Sequence, residues 1–429
     1  MNAVLDAALR RWQLDGAAAR GGSMLERLAQ RDGTPLYVYS RPLIASRVAA
    51  LRTEFPDDLT LLYAVKANPD PAVVGCVVPI VDGCDVTSAA EIAVALQAGA
   101  AGEALSVAGP GKSDAELAAA VAANALVVVE SPNEARRLAA FAAGGIRPRV
   151  ALRINPPFTL AADARMGGGP RRFGIDSEQA PQVLAGIGRL PLAFEGFHVF
   201  AGSGCLDARA IADVQQQTLE LACELAPFAP APVRVLNLGG GFGVPCFAGD
   251  APLALATLGA SLRALAADAR RRLPGVRLAL ELGRYLVAEA GVYLTRVVDR
   301  KESRGRTFLI VDGGANHHWH ATGALEGRRH LHFPLAVVGA EGRPVERVTL
   351  CGPLCAPHDT WAEDIVLPVA VPGDLVAVFQ SGAYGASASP QAFLGKPAAL
   401  ARLVEWPARQ PADARIATSP NRQQETEHA

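Results

Sequence analysis

Between residues 58 and 284 short apolar runs alternate with Ala- and Leu-rich stretches, and this alternation restricts the possible folds more than any other feature. The runs at 59–65, 81–86, 104–107, 125–129, 148–154, 193–200, 233–238 and 277–281 read as strands. The stretches 88–99, 114–123, 132–143, 207–226 and 252–272 read as amphipathic helices, three of them opened by the capping residues Ser88, Ser113 and Ser131. Strands separated by helices at this spacing run parallel, and about eight of them predict a (β/α)8 TIM barrel. An open doubly wound α/β sheet meets the same pattern and stays open at this level.

Past residue 284 the character changes. Segments 285–297, 306–312, 346–350, 366–370 and 374–379 are β-rich and separated by turns such as Gly313-Gly314, Gly352-Pro353 and Pro372-Gly373, as in an all-β domain. Pro35–Tyr39 is a candidate strand for that domain. The expected division is an N-terminal segment (1–37), a barrel (38–284), a C-terminal β-domain (285–408) and a polar tail (409–429) without periodicity, read as disordered. The net charge of -1 leaves no electrostatic footprint for nucleic acid or an anionic membrane. No apolar run approaches the roughly 18 residues of a membrane span, and the first residues lack a signal-peptide core. The seven cysteines are odd in number and form no CxxC pair, which favours reduced thiols in a cytoplasm.

Barrels carry chemistry just past the C-terminal ends of their strands, so those positions hold the candidates. Lys66 ends the apolar run Leu61–Val65 as a lone lysine. Burial there should lower its pKa and make the amine a nucleophile able to form a Schiff base with an aldehyde. A lysine snorkelling from a strand end is the bland alternative. Asp85, Arg153 and His198 stand at comparable strand ends, where taken alone each is explained more simply by structure, as a salt bridge for Arg153 or a satisfied core histidine for His198. Gly239-Gly240-Gly241-Phe242-Gly243 follows a strand and lets backbone N–H groups approach an anion. It is not a dinucleotide fingerprint, and no phosphate-loop lysine follows it. Glu281 is a carboxylate that burial would require to be paired, and Arg284 offers a fork for a phosphate. In the second domain stand Cys355, a possible proton donor, Asp359, and Tyr384 in Gly382-Ala-Tyr-Gly385. His317, His318 and His320 suggest a metal, but no carboxylate or cysteine lies beside them at ligand spacing, so no metal site is expected.

The strings YAVKAN (63–68), GSG (202–204), GGGFG (239–243), ELGR (281–284), CGPLC (351–355) and GAYG (382–385) occur in the order of one family. Over residues 34–405 the chain resembles the fold-type III pyridoxal-phosphate decarboxylases, the group of diaminopimelate and ornithine decarboxylases. The resemblance implies an alanine-racemase-like barrel, a C-terminal β-domain and a homodimer with shared active sites. It makes Lys66 look like the Schiff-base lysine and Glu281 like the partner of the pyridinium nitrogen. Ser203, Gly240, Gly241, Gly283, Arg284 and Tyr384 look like phosphate contacts. Asp85 and Arg153 resemble the residues below and beside the cofactor, and Cys355 the proton donor reaching in from the partner subunit. Arg153, Asp359 and Tyr384 are the candidate substrate contacts.

Three departures stand out. Leu282 replaces the proline of the usual EPGR. Phe200 stands where the family has a ring-stacking histidine, while His198 matches the first histidine of an HxHxGS pattern. After Cys355 the chain has Ala356-Pro357, where diaminopimelate and ornithine enzymes carry an acid that grips a distal amine. DGGANHH (312–318) and GPLCAPHD (352–359) look instead like a subgroup serving siderophore precursors, carrier-protein-bound glutamyl groups or exosortase-associated clusters. The expected activity is decarboxylation of an L- or D-amino acid or conjugate, free or on an acyl or peptidyl carrier. Alternatives are diaminopimelate decarboxylation, racemisation, which Glu281 argues against, and non-catalytic cofactor binding.

Overall fold

The computed structural model describes residues 3–14, 23–142, 144–162, 164–323 and 331–406. The tail expected at 409–429 lies outside the described residues. Strand β1, Leu36–Ser40, precedes the barrel. The barrel strands follow as β2 Thr60–Ala64, β3 Gly83–Val86, β4 Leu105–Val107, β5 Leu126–Val129, β6 Arg149–Asn155, β7 Ala193–Val199, β8 Val235–Gly240 and β9 Arg277–Leu282. Each pairs in parallel with the next, and β9 pairs with β2 to close the ring. This is the barrel, not the open sheet.

Side chains that are apolar on both faces explain the closure. Leu61, Tyr63, Val127, Val129, Leu152 and Leu280 on one face and Leu62, Val128, Ala151 and Ala279 on the other are all buried, because the ring has an interior and a helical jacket, and neither face meets water. Ser88 and Ser131 accept the N–H of Glu91 and Glu134, and Ser113 forms a complete capping box with Glu116. Within the barrel, sequence periodicity passed over three helices, Arg41–Glu54, Pro71–Val77 and Ala180–Ile187.

The second sheet contains β10 Gly291–Ser303, β11 Arg306–Val311, β12 Leu335–Val337, β13 Val345–Cys351, β14 Thr360–Pro368, β15 Leu375–Val378 and β16 Leu400–Val404. Its order is β12-β15-β10-β11-β13-β14, and β1 pairs antiparallel with β10 and parallel with β16. The run from 285, expected to be strand, begins instead as the short helix Arg284–Val287, and β10 starts only at Gly291. Asn68 ties the domains together beside the barrel mouth, its Nδ2 donating to the Gly382 carbonyl at 2.9 Å. Within the second domain Tyr37 donates to the His317 carbonyl at 2.7 Å. Among the described residues no helix is long and apolar enough to cross a membrane.

Candidate active site

Strand β2 stops at Ala64, and Lys66 follows in a single 3-10 turn, Val65–Ala67. Its Nζ donates to Asp85 Oδ2 at 2.7 Å, and Asp85, on β3, is fully buried. The sequence led us to expect a depressed lysine pKa, and the structure reverses this. Burial does disfavour the ammonium, but the charges of Asp85 and Glu281 and the Tyr384 phenol outweigh it, so the pKa is raised. Asp85 is pushed up to about 6, first by burial and then by the nearby Glu281 charge, with Lys66 opposing.

Glu281, on β9, is buried and accepts twice at Oε2, from His198 Nε2 at 3.0 Å and Asn237 Nδ2 at 3.1 Å. Burial disfavours its charge, but His198, Lys66 and Arg153 outweigh that and hold its pKa low, at about 2. Two carboxylates in one pocket are thereby driven apart: Glu281 stays ionised, while Asp85 can take a proton near neutrality. His198 is therefore the partner of Glu281. Asn237, which the sequence reading missed, is anchored in turn by the Gly239 N–H, which donates to its Oδ1 at 2.8 Å. Its place on β8, two residues before the glycine cluster, was the available signal.

Lys66 and Glu281 line one cavity together with Phe200, Ser203, Gly241, Gly283, Arg284 and Tyr384. Gly241 has φ +78°, and a Cβ there would lie 2.0 Å from the Gly202 carbonyl, so only glycine permits this close turn. Gly240 is not part of the lining. It pairs with Glu281 in the ladder, and its missing side chain makes room for the Glu281 carbonyl. Tyr384 is held at φ +53°, an uncommon conformation for a bulky residue, with its N–H donating to the Ala67 carbonyl at 2.7 Å. The Arg284 guanidinium lies 4.9 Å from the Tyr384 ring centroid. His320 Nδ1 faces the Ala383 carbonyl and so carries the proton, which leaves Nε2 to accept from Arg284 at 2.9 Å.

Other candidates lie elsewhere. Arg153 is buried behind the cavity, donating to Glu130 Oε1 at 2.8 Å with Phe173 beneath its guanidinium. Glu130, just past β5, was missed despite its strand-end position. It also accepts the Gly109 N–H at 2.7 Å and the Gly174 N–H at 3.1 Å. Cys355 is exposed and does not line the Lys66 cavity.

Asp359, expected at the substrate, anchors a loop between β13 and β14. It is buried, Oδ1 accepts the Ala315 N–H and Oδ2 the Leu354 N–H, each at 2.7 Å. The histidine cluster is likewise engaged in structure. His317 reaches the Pro397 carbonyl at 2.8 Å and His318 the Ser381 hydroxyl at 3.0 Å, and no metal-holding group exists among the described residues.

The fold and this pocket define a barrel enzyme built around one lysine. Residues 41–288 match the family described as pyridoxal-dependent decarboxylase, pyridoxal binding domain. The chain is 35% identical to the L-glutamyl-[BtrI acyl-carrier protein] decarboxylase of Niallia circulans, over 86% of this chain and 88% of that one. It is 28% identical to the 2-[(L-alanin-3-ylcarbamoyl)methyl]-2-hydroxybutanedioate decarboxylase of Staphylococcus aureus, over 84% and 92%. Its fold is similar to diaminopimelate decarboxylase from Helicobacter pylori complexed with L-lysine, with a TM-score of 0.79, 26% identity and coverage of 89% and 94%. The chain belongs to the pyridoxal-dependent decarboxylase family and is a pyridoxal-phosphate-dependent decarboxylase of amino acids or their conjugates.

The residues present fit that cofactor. The cavity offers a primary amine, a glycine-turned cup with Ser203, Arg284 and Tyr384, and an ionised carboxylate. Both hydrogen bonds to Glu281 fall on Oε2, which leaves Oε1 for a further partner.

Proposed function

We propose that the substrate is an α-amino acid whose distal end is modified or tethered, as in a siderophore precursor or a carrier-bound glutamyl group, rather than free diaminopimelate. The observation that carries this reading is the loop after Cys355. Asp359 is the one acid in GPLCAPHD, and both its oxygens already accept backbone N–H groups. A distal ammonium desolvated there would lack a partner, which is costly. Similarity to the carrier-protein glutamyl decarboxylase supports the same reading.

When bound, pyridoxal phosphate supplies an aldehyde for an amine and a ring that accepts the electron pair left as CO2 departs. The residues around it have separable roles in this proposal. Lys66 Nζ is the attachment point, and Asp85 Oδ2, 2.7 Å away, holds it in place. Glu281, kept ionised by His198 and Asn237, holds a ring nitrogen protonated. Ser203, Gly241, Gly283, Arg284 and Tyr384 grip the phosphate. Arg153, fixed by Glu130, keeps positive charge beside the carboxylates. Cys355 of a partner subunit returns a proton to the α-carbon in a homodimer, a role its exposure and distance from its own cavity favour. The free cysteines suit a reducing cytoplasm.

CO2 release from the holoenzyme tests the substrate class. Carrier-bound or γ-amidated glutamate should turn over while free meso-diaminopimelate and ornithine do not. Ordinary turnover of free meso-diaminopimelate would refute the reading. Mixing Lys66→Ala and Cys355→Ala proteins tests the shared site. Heterodimers should regain activity, and no regain at all would remove the partner's cysteine from the mechanism.

A further inference from the structure

The barrel buries a second lysine, which none of the roles above uses. Lys112 follows β4 at the end of the turn that starts at Gly109, and it is 5% exposed. Its Nζ donates to the carbonyls of Gly109 and Val128, each at 2.8 Å, and to Glu134 Oε1 at 2.6 Å. An ammonium has three protons to give, and here all three are placed. Lys112 is thus held as a cation with no lone pair free to attack an aldehyde.

Two routes lead from this ammonium to Glu130, the residue that anchors Arg153. The first runs through Gly109, whose carbonyl accepts from Lys112 while its N–H donates to Glu130 Oε1 at 2.7 Å. The second runs through Glu134, whose Oε1 accepts from Lys112 while its Oε2 accepts the Glu130 N–H at 3.2 Å. Glu134 is itself seated at the start of the helix Pro132–Ala139, its N–H donating to Ser131 Oγ at 3.0 Å. Glu130 Oε1, reached by the first route, is also the oxygen to which Arg153 Nη1 donates at 2.8 Å.

Lys112, Glu130, Glu134 and Arg153 are all buried, and their two positive and two negative charges balance. Burial opposes the charge of Glu130, but Arg153 and then Lys112 outweigh it and lower the pKa. Taking one member out of such a group leaves another charge buried without its partner. A staple for the loops after β4 and β5 would need only the contacts of Lys112 itself. The convergence on the acid that holds Arg153 goes beyond that.

We propose that Lys112, together with Glu134, is a positioning residue for the reaction: it fixes Glu130 by two routes and so holds the Arg153 guanidinium where its charge acts on Glu281. The inference rests on the role given to Arg153 above and extends it two residues further from the cavity. Lys112 touches neither cofactor nor substrate, and it acts through Arg153 alone.

The test is a double-mutant cycle on the holoenzyme. Lys112→Met with Glu134→Gln removes both charges together, so no carboxylate is stranded, and the glutamine can still accept the Glu130 N–H. Loss of visible absorbance as the holoenzyme is diluted reads cofactor affinity without turnover, and CO2 release from γ-amidated glutamate reads kcat. The paired variant should lose about tenfold in each, with a urea midpoint close to that of the native protein. Added to Arg153→Gln, the same pair should cost less than about twofold further, because the residue it positions is already gone. A merely structural role would give the same loss in both backgrounds, and that result would overturn the proposal. Native affinity and kcat in the paired variant would overturn it as well. If γ-amidated glutamate released no CO2 even with the native protein, the substrate reading would fail, and the cofactor affinities would still decide the role of Lys112.

Discussion

The barrel mouth and the Cys351–Asp359 loop both bury carboxylates, but they use them in opposite ways. In the mouth, Asp85 Oδ1 has no hydrogen-bond partner, and Glu281 concentrates both its bonds on Oε2. In the loop, Asp359 engages both oxygens with backbone N–H groups. An uncommitted oxygen on a buried acid is costly unless a ligand completes it, so it marks chemistry. A fully satisfied one marks architecture. On this account the barrel supplies the reaction, and the loop contributes Cys355 and the absence of a distal acid, which sets what may react.

The largest expected effect is at the mouth. Lys66→Ala should abolish the visible absorbance of bound cofactor and lower CO2 release by ~10³-fold or more. Glu281→Gln should retain the absorbance yet lose roughly 10²–10³ in kcat, because the ring nitrogen is no longer held protonated. Should the Gln variant keep near-native kcat, the mouth carboxylate would be architectural too and the contrast would disappear. Asp359→Ala should act on folding, costing about 2–3 kcal/mol in denaturant unfolding by orphaning the Ala315 and Leu354 N–H groups. Its KM should change little. A collapse in KM at unchanged stability would return Asp359 to the substrate.

The smallest effect concerns pH. Burial first, and then neighbouring His320, holds the His318 pKa well below its ordinary 6.5. The folded state therefore resists a proton that the unfolded chain accepts. This contribution to stability is complete above pH 6.5 and is lost as pH falls, by up to about 1.4 kcal/mol per pH unit, until the ring protonates in the fold. The Tm of the native protein should accordingly decline on acidification more steeply than that of His318→Gln.

Much of the barrel was legible because its strands are buried on both faces and its helices carry serine caps, signals that reside within a few residues. The site's lysine, glycine cluster and Glu281 were legible through spacing against strand ends. The sign of the Lys66 shift was not, since burial can be guessed from an apolar run while the Asp85 and Glu281 charges arrive only when β2, β3 and β9 become neighbours. The partners of Asp359 were illegible for the same reason: no local pattern announces that Ala315, on a distant turn, will claim one of its oxygens. The partners of the histidines, Pro397, Ser381 and Ala383, likewise meet them only in the folded chain.

The chain has four lysines, Lys66, Lys112, Lys301 and Lys396, and of these Lys112 is buried, held by Glu134 at 2.6 Å. Reduction of the holoenzyme with borohydride, followed by peptide mapping, therefore tests the central claim directly. The account predicts a pyridoxyl adduct on Lys66 alone, in both the native protein and Glu281→Gln. An adduct on Lys112 or another lysine, with Lys66 unlabelled, would contradict it.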